Sequence, residues 1–190
     1  MKNTTLFLVA CIGFVTISGR GMAQDSAAMK KYMDYMTPGD MHKMLATTDG
    51  TWNDDVVMWM APGQPPMKST SIAEAKMILS GHYQQTNITG SFNGMAYEAQ
   101  SVLGYDNMKK VFICSYEDNM GTGILNMEGP YDAATKTITL IGTELDPASG
   151  KEMKMRETIK MVDNNTQVTD MYDITGGKNT KIMEITMKRK

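Results

Sequence analysis

Gly50-Thr51-Trp52-Asn53-Asp54-Asp55-Val56-Val57-Met58-Trp59-Met60 is the stretch on which the reading of the fold turns. Its β-branched and aromatic residues favour an extended chain, and Ala61-Pro62-Gly63-Gln64-Pro65-Pro66 breaks it. Trp52 and Trp59, an odd number of residues apart, take opposite faces of one continuous strand. Downstream, turn-forming clusters recur at Asn93-Gly94, Asp106-Asn107, Asn119-Met120-Gly121, Asp132-Ala133-Ala134, Asp146 to Gly150, Asp163-Asn164-Asn165 and Gly176-Gly177. Their spacing of roughly 12 to 17 residues is that of one strand plus one turn. With 51–60, 70–79 and 82–89, the intervening segments make about ten consecutive strands. No long helical period follows Gly50, so the crossovers that parallel strands require are missing. The expectation is a mainly β protein, an antiparallel up-and-down meander closed into a barrel, because closure removes both exposed edges.

Upstream of Gly50 the pattern is helical. Met29, Met33 and Met36 fall on one helical face of a polar segment, 24–36. Thr37-Pro38 reads as the N-cap and first position of a second short helix through Met41-His42-Lys43-Met44-Leu45, ended by Asp49-Gly50. A short N-terminal helix is therefore expected to plug or flank the barrel. Residues 1–23 read as an export signal: Lys2, the apolar run from Leu6 to Val15, then Gly21-Met22-Ala23 with small residues before the cleavage point. The apolar run falls short of the about 20 residues a membrane helix requires. Leu8-Val9-Ala10-Cys11 also fits a lipoprotein signal, with Cys11 as the lipidated residue, as a minor alternative. The domain reading is thus a signal over 1–23, a polar helical segment over 24–36, and one β-barrel domain over 37–190, exported to the periplasm or secreted.

Composition bounds the function. The 190 residues carry 19 Lys+Arg against 21 Asp+Glu, which argues against a nucleic-acid partner. Removing the signal takes away Lys2 and Arg20 and leaves 17 against 21. Two cysteines exclude a disulfide scaffold and a cysteine-based zinc site. After signal removal Cys114 is alone, in the apolar run Val111 to Tyr116, where a small buried hydrophobe is the plain reading. The outlier is methionine, with 21 Met against 8 Leu.

Met41-His42-Lys43-Met44-Leu45 followed by Gly50-Thr51-Trp52 resembles the opening of a bacterial domain-of-unknown-function family, number 1579. Gly104-Tyr105-Asp106-Asn107, Asp118 to Gly123, Gly129-Pro130-Tyr131-Asp132 and Met183 to Lys190 continue the match in order. A helix leading into Gly-x-Trp is also similar to the lipocalin and fatty-acid-binding proteins in architecture. The resemblance implies a lipocalin-like barrel and leaves the activity open.

Candidate site residues follow from strand positions. Trp52 is expected beneath the helix at the barrel floor, with Trp59 at the rim or on the outer face. Arg156 offers a carboxylate anchor if it points inward; the alternation Met153, Met155, Glu157, Ile159, Met161 instead groups it with Lys154 and Lys160 on the opposite face. Tyr172 and Glu184 could complete a polar ligand site, with Tyr83, Tyr97 and Tyr131 as aromatic walls. His42 and His82 are read as structural or surface residues, since no serine elbow or carboxylate constellation accompanies them. The Asp-rich turns lack the ligand count of a calcium loop. Methionine thioethers can hold Cu(I), and Met29, Met33, Met36, Met41 and Met44 come nearest to such a cluster. Otherwise methionine reads as a leucine replacement, and where Met153, Met155, Met161, Met183 or Met187 line a cavity it favours adaptable apolar binding. The leading functional reading is a non-enzymatic barrel binding a small apolar or amphipathic ligand, with no cofactor and no transmembrane span. A hydrolase or isomerase using Arg156, Tyr172 and Glu184, Cu(I) handling, and a structural or interaction module are the alternatives.

Overall fold

A computed structural model describes residues 22–61 and 63–190. The export segment read over 1–23 lies outside them apart from Met22 and Ala23, as does Cys11. Helices α1 (Met22–Met36) and α2 (Asp40–Ala46) precede eleven strands: β1 (Gly50–Met58), β2 (Met67–Ile78), β3 (Tyr83–Phe92), β4 (Met95–Asp106), β5 (Val111–Asp118), β6 (Leu125–Gly129), β7 (Tyr131–Asp132), β8 (Thr137–Leu145), β9 (Glu152–Asp163), β10 (Thr166–Asp173) and β11 (Thr180–Arg189).

β6 and β7 are one stave of the barrel. Both pair with β8 in a single register, Met127 opposite Gly142 and Tyr131 opposite Ile138. The break falls at Pro130, which has no N–H to give to the ladder, although its carbonyl accepts from Thr139 N at 2.9 Å. Counted this way, ten staves run up and down in chain order, each antiparallel to the next. β1 then pairs with β11, Trp52 opposite Arg189 and Met58 opposite Met183, and closes the barrel. The turns are local chemistry. Asn93 (φ 51) and Gly94 (φ 81) form the two-residue link between β3 and β4. Asp106, Asp118 and Asp163 each accept a backbone N–H two residues ahead.

The inner face is set by the alternation. Phe112, Ile138, Leu140, Met155 and Trp52 are buried and their strand neighbours are not. One end is a packed floor. α2 crosses it with Leu45 buried in the core and Met41 and Met44 packed against that core. Its start differs from the Thr37 N-cap expected above. Gly39 is the N-cap, its N–H donating to His42 Nδ1 at 3.0 Å. Thr37 Oγ1 instead donates to Met33 O at 2.7 Å, so this hydroxyl serves the end of α1.

Trp52 seals the floor, with Nε1 donating to Thr48 O at 3.0 Å. Arg189 lies over its ring, the guanidinium carbon 4.4 Å from the centroid. That guanidinium donates to Asp49 O (2.6 Å), Thr47 O (2.8 Å) and Asn164 O (3.1 Å). Buried Gln84 ties α2 to β3, its Nε2 donating to Leu45 O and Asp49 Oδ1, both at 2.8 Å. α1 is different. Met29, Tyr32, Met33, Tyr35 and Met36 are all exposed, and hydrogen bonds to the barrel fall at its last turn. There Asn107 Nδ2 donates to Tyr35 O at 3.1 Å, and His82 Nε2 bonds Met36 O at 2.7 Å.

The open half of the barrel interior

Above the floor the inner wall stays partly accessible. Val56 and Met58 of β1, Ser71 of β2, Ile88 and Phe92 of β3, Tyr97 of β4, Tyr116 of β5, Met171 of β10 and Met183 and Ile185 of β11 share the face of the buried core residues through their ladder partners. Each keeps some accessible surface. At the mouth, between the end of β1 and the β3–β4 turn, a depression of about 500 Å³ straddles the rim, lined by inward Met58, Met67, Ser69 and Phe92 and by outward Lys68 and Thr70. A second, of about 490 Å³, lies on the outer wall against Tyr83, Val102, Ile113 and Ile141.

The polar groups of this interior are acids and hydroxyls. Glu157 projects from β9 opposite Leu140 of β8 and Met171 of β10, both on the inner face. Among the described residues no donor or cation pairs with its carboxyl, and enclosure by protein raises its pKa to about 7. Asp54 sits beside Trp52 on β1, 4% exposed. Ser71 Oγ donates to its Oδ2 at 2.9 Å, while its buried Oδ1 has no donor. Burial raises this group to about 6 against the lowering effect of Ser71, and neighbouring Asp55 adds to the rise.

The hydroxyls of Tyr97 and Tyr116 bond one another across β4 and β5. Burial pushes Tyr116 upward, reinforced by Tyr97, Asp118 and Glu157. Cys114 on the same strand is also raised by burial first and then by the charges of Glu157 and Glu117. A thiol held protonated in this way is a poor nucleophile.

The residues singled out in the sequence separate into three places. Trp52 belongs to the floor, where Tyr131 also packs, against Phe112. Tyr97 is on the inner wall. Arg156, Tyr172 and Glu184 share the outer wall, on the face opposite Met155 and Glu157. There Arg156 stacks over the Tyr172 ring at 4.4 Å and donates to Asn179 Oδ1 at 2.8 Å. Glu184 accepts from Lys181, which also donates to Asp170, both at 2.8 Å. Tyr83 lies on the outer side, where its ring covers Gly104. Trp59 continues the β1 ladder in outward phase, its N–H donating to Ile182 O at 2.9 Å.

The N-terminal methionines do not come together. Met29, Met33 and Met36 stand exposed on α1, whereas Met41 and Met44 pack against the core. Among the described residues no three His, Cys, Asp or Glu side chains gather as a metal site. His42 is buried, which lowers its pKa, with His82 nearby acting in the same direction. Glu157, Gln84 and Arg189 escaped the candidate list drawn from sequence. Glu157 alone carried a signal, an acid in an otherwise apolar alternation.

Comparison with known proteins agrees with this architecture. A family model described as "Protein of unknown function (DUF1579)" matches residues 37–189. None of the curated proteins matches the chain. Among solved structures, the crystal structure of Rv2717c from M. tuberculosis shares the fold with a TM-score of 0.58 at 12% identity. The match covers 81% of this chain and 99% of that one.

Proposed function

Because this chain belongs to the DUF1579 family, whose members share a model and no assigned activity, the function has to be read from the barrel itself: we propose that it is an exported, non-enzymatic carrier holding a small amphipathic molecule in its interior. The observation that carries the reading is the contrast along the inner wall. Leu45, Trp52, Phe112 and Ile138 are closed off at one end, while Met58, Phe92, Tyr97, Met183 and Ile185 stay accessible toward the other. A cup of this form, apolar with a few polar groups, is the usual shape of a small-molecule site. Methionine suits a wall that must fit a flexible chain, because its thioether stem repacks at little cost.

Binding rather than turnover fits the chemistry. The interior thiol is held protonated, and Arg156, Tyr172 and Glu184 occupy the outer wall. Export rests on the signal pattern of residues 1–23, and a mature N-terminus near Gln24, read by N-terminal sequencing of the extracytoplasmic protein, would accompany it. Titration with Nile red, an uncharged apolar dye, tests the site directly. We expect saturable binding at one dye per chain, abolished in Ile88→Trp, which fills the inner wall beside Ala73 and Ala99. Absence of saturable binding by the folded protein would overturn the proposal.

A further inference from the structure

The inner face has an uneven charge inventory. By ladder register it carries Asp54, Asp118, Glu144, Glu157 and Asp173. Among the described residues the base on the same face is Arg189, and three floor carbonyls occupy its guanidinium. Lys154, Arg156, Lys160, Lys181 and Lys188 fall on the outer phase of β9 and β11.

The five acids are not alike. Asp118 and Asp173 lie at the rim and accept N–H groups from their own turns, Gly121 at 3.1 Å and Thr175 at 2.9 Å. Asp54 has one oxygen on Ser71 and the other buried with no donor. Glu144 and Glu157 have no hydrogen-bond or ion-pair partner among the described residues. Both face inward from the β8–β9 ladder, Glu144 opposite Met153 near the mouth and Glu157 opposite Leu140 deeper in. Glu157 is half-buried between Leu140 and Met171, an apolar setting where an uncompensated charge is unfavourable.

We infer that the molecule held in this barrel bears a cationic head, an amine or ammonium group on an apolar body, and that Glu157 receives that head. The inference rests on the carrier reading above and adds the sign of the ligand's charge. Four features of the wall point the same way. The unpartnered carboxylate of Glu157 supplies the counter-charge, and Glu144 at the mouth marks an acidic approach. The rings of Tyr97 and Tyr116 on the same wall offer faces that accept an ammonium group. Among the described residues no free cation shares the inner face: the Arg189 guanidinium is taken by the floor carbonyls, Arg156 is outside, and Lys68 beside the mouth depression stands in the outward phase of β2. A bare metal ion would require several ligands at one point, and no three such side chains meet among the described residues.

The test uses three probes of one chain length on the full protein at pH 8, each displacing Nile red: dodecylammonium, dodecanol and dodecanoate. Dodecylammonium is expected to bind at least about tenfold more tightly than dodecanol, with dodecanoate weakest. In Glu157→Gln the preference of ammonium over alcohol should fall to about twofold or less. Glu157→Met, which merely extends the methionine wall, should give the same result and stands in where the glutamine variant misfolds. Equal displacement by all three probes would overturn the cationic head and leave the carrier reading intact. Failure of the dye and of every probe to bind would overturn both. Retention of the full preference in both Glu157 variants would remove Glu157 from the role.

Discussion

Replacing Glu157 by glutamine is expected to make the empty barrel more stable at and above neutral pH. The folded protein raises this carboxyl from its ordinary 4.5 to about 7. Between those values the native state holds a proton that the unfolded chain has released, so stability is full below pH 4.5 and is lost as pH rises through 7. The loss is about 3 kcal/mol for a shift of this size. Asp54, raised to about 6, acts with the same sign over a lower window. Turn aspartates act oppositely. Asp106 and Asp163 are held below the usual carboxylate range chiefly by backbone N–H donors, so their contribution falls away only in strong acid. Urea denaturation of the ligand-free protein should therefore place maximal stability on the acid side of neutrality, with Glu157→Gln flattening the decline between pH 5 and 8. A wild-type curve that rises over that interval would contradict the raised Glu157 carboxyl. Arg189 offers a second measurement at the same scale. Arg189→Lys keeps the charge but not the planar fork that reaches Asp49 O, Thr47 O and Asn164 O, and is expected to cost about 2 kcal/mol. A loss near zero would mean that charge alone holds the corner.

Among the elements, the broken stave β6–β7 leaves no room for a side chain at Gly129. A Cβ at Gly129 would overlap Thr139 O, inside the β6–β8 ladder that Pro130 already weakens. Gly129→Ala must push the two strands apart, and a loss of about 3 kcal/mol or more is expected from the urea midpoint. Gly94→Ala is the comparison. Nothing lies within 4 Å of its Cβ position, so only the positive φ of the hairpin acts, at about 1 kcal/mol. The two variants separate crowding from backbone conformation, and equal losses would refute the distinction.

Turns of this kind made the strand order readable from sequence. Asn93-Gly94 and the aspartate clusters act on residues two or three positions away, which is the range a local reading covers. The face of each strand was readable for the same reason, as Arg156 falls out of phase with Met153, Met155 and Ile159. What escaped depends on distance along the chain. Gln84 and Arg189 do their work on carbonyls 39 and 142 residues away. Glu157 stood in plain view in the apolar alternation, but an acid means something only once its partners are known to be absent. Thr37 departs from the N-cap expectation because its hydroxyl turns back to Met33.

At the scale of the whole molecule, the two ends of the described chain contribute very differently. β11 is held on both sides, by β1 from Met58 opposite Met183 to Trp52 opposite Arg189, and by β10 from Thr166 opposite Lys188 to Asp173 opposite Thr180. It also delivers Arg189 to the floor, where the guanidinium covers Trp52. A chain ending before Thr180 would leave β1 and β10 as long unpaired edges and uncover the inner wall. Such edges recruit other chains. The expected outcome is loss of the cooperative thermal transition together with aggregation. α1 has no such hold. Met29, Tyr32, Met33, Tyr35 and Met36 are exposed, and Asn107 and His82 bond the carbonyls of Asp34, Tyr35 and Met36 in its last turn. A chain beginning at Thr37, where the family match also begins, should keep its melting temperature within about 3 °C of the chain that includes α1. Calorimetry on the two shortened chains decides the matter. A barrel that still melts cooperatively without β11 would show that closure is dispensable, and a large drop on removing α1 would show that its exposed face has a partner within the molecule.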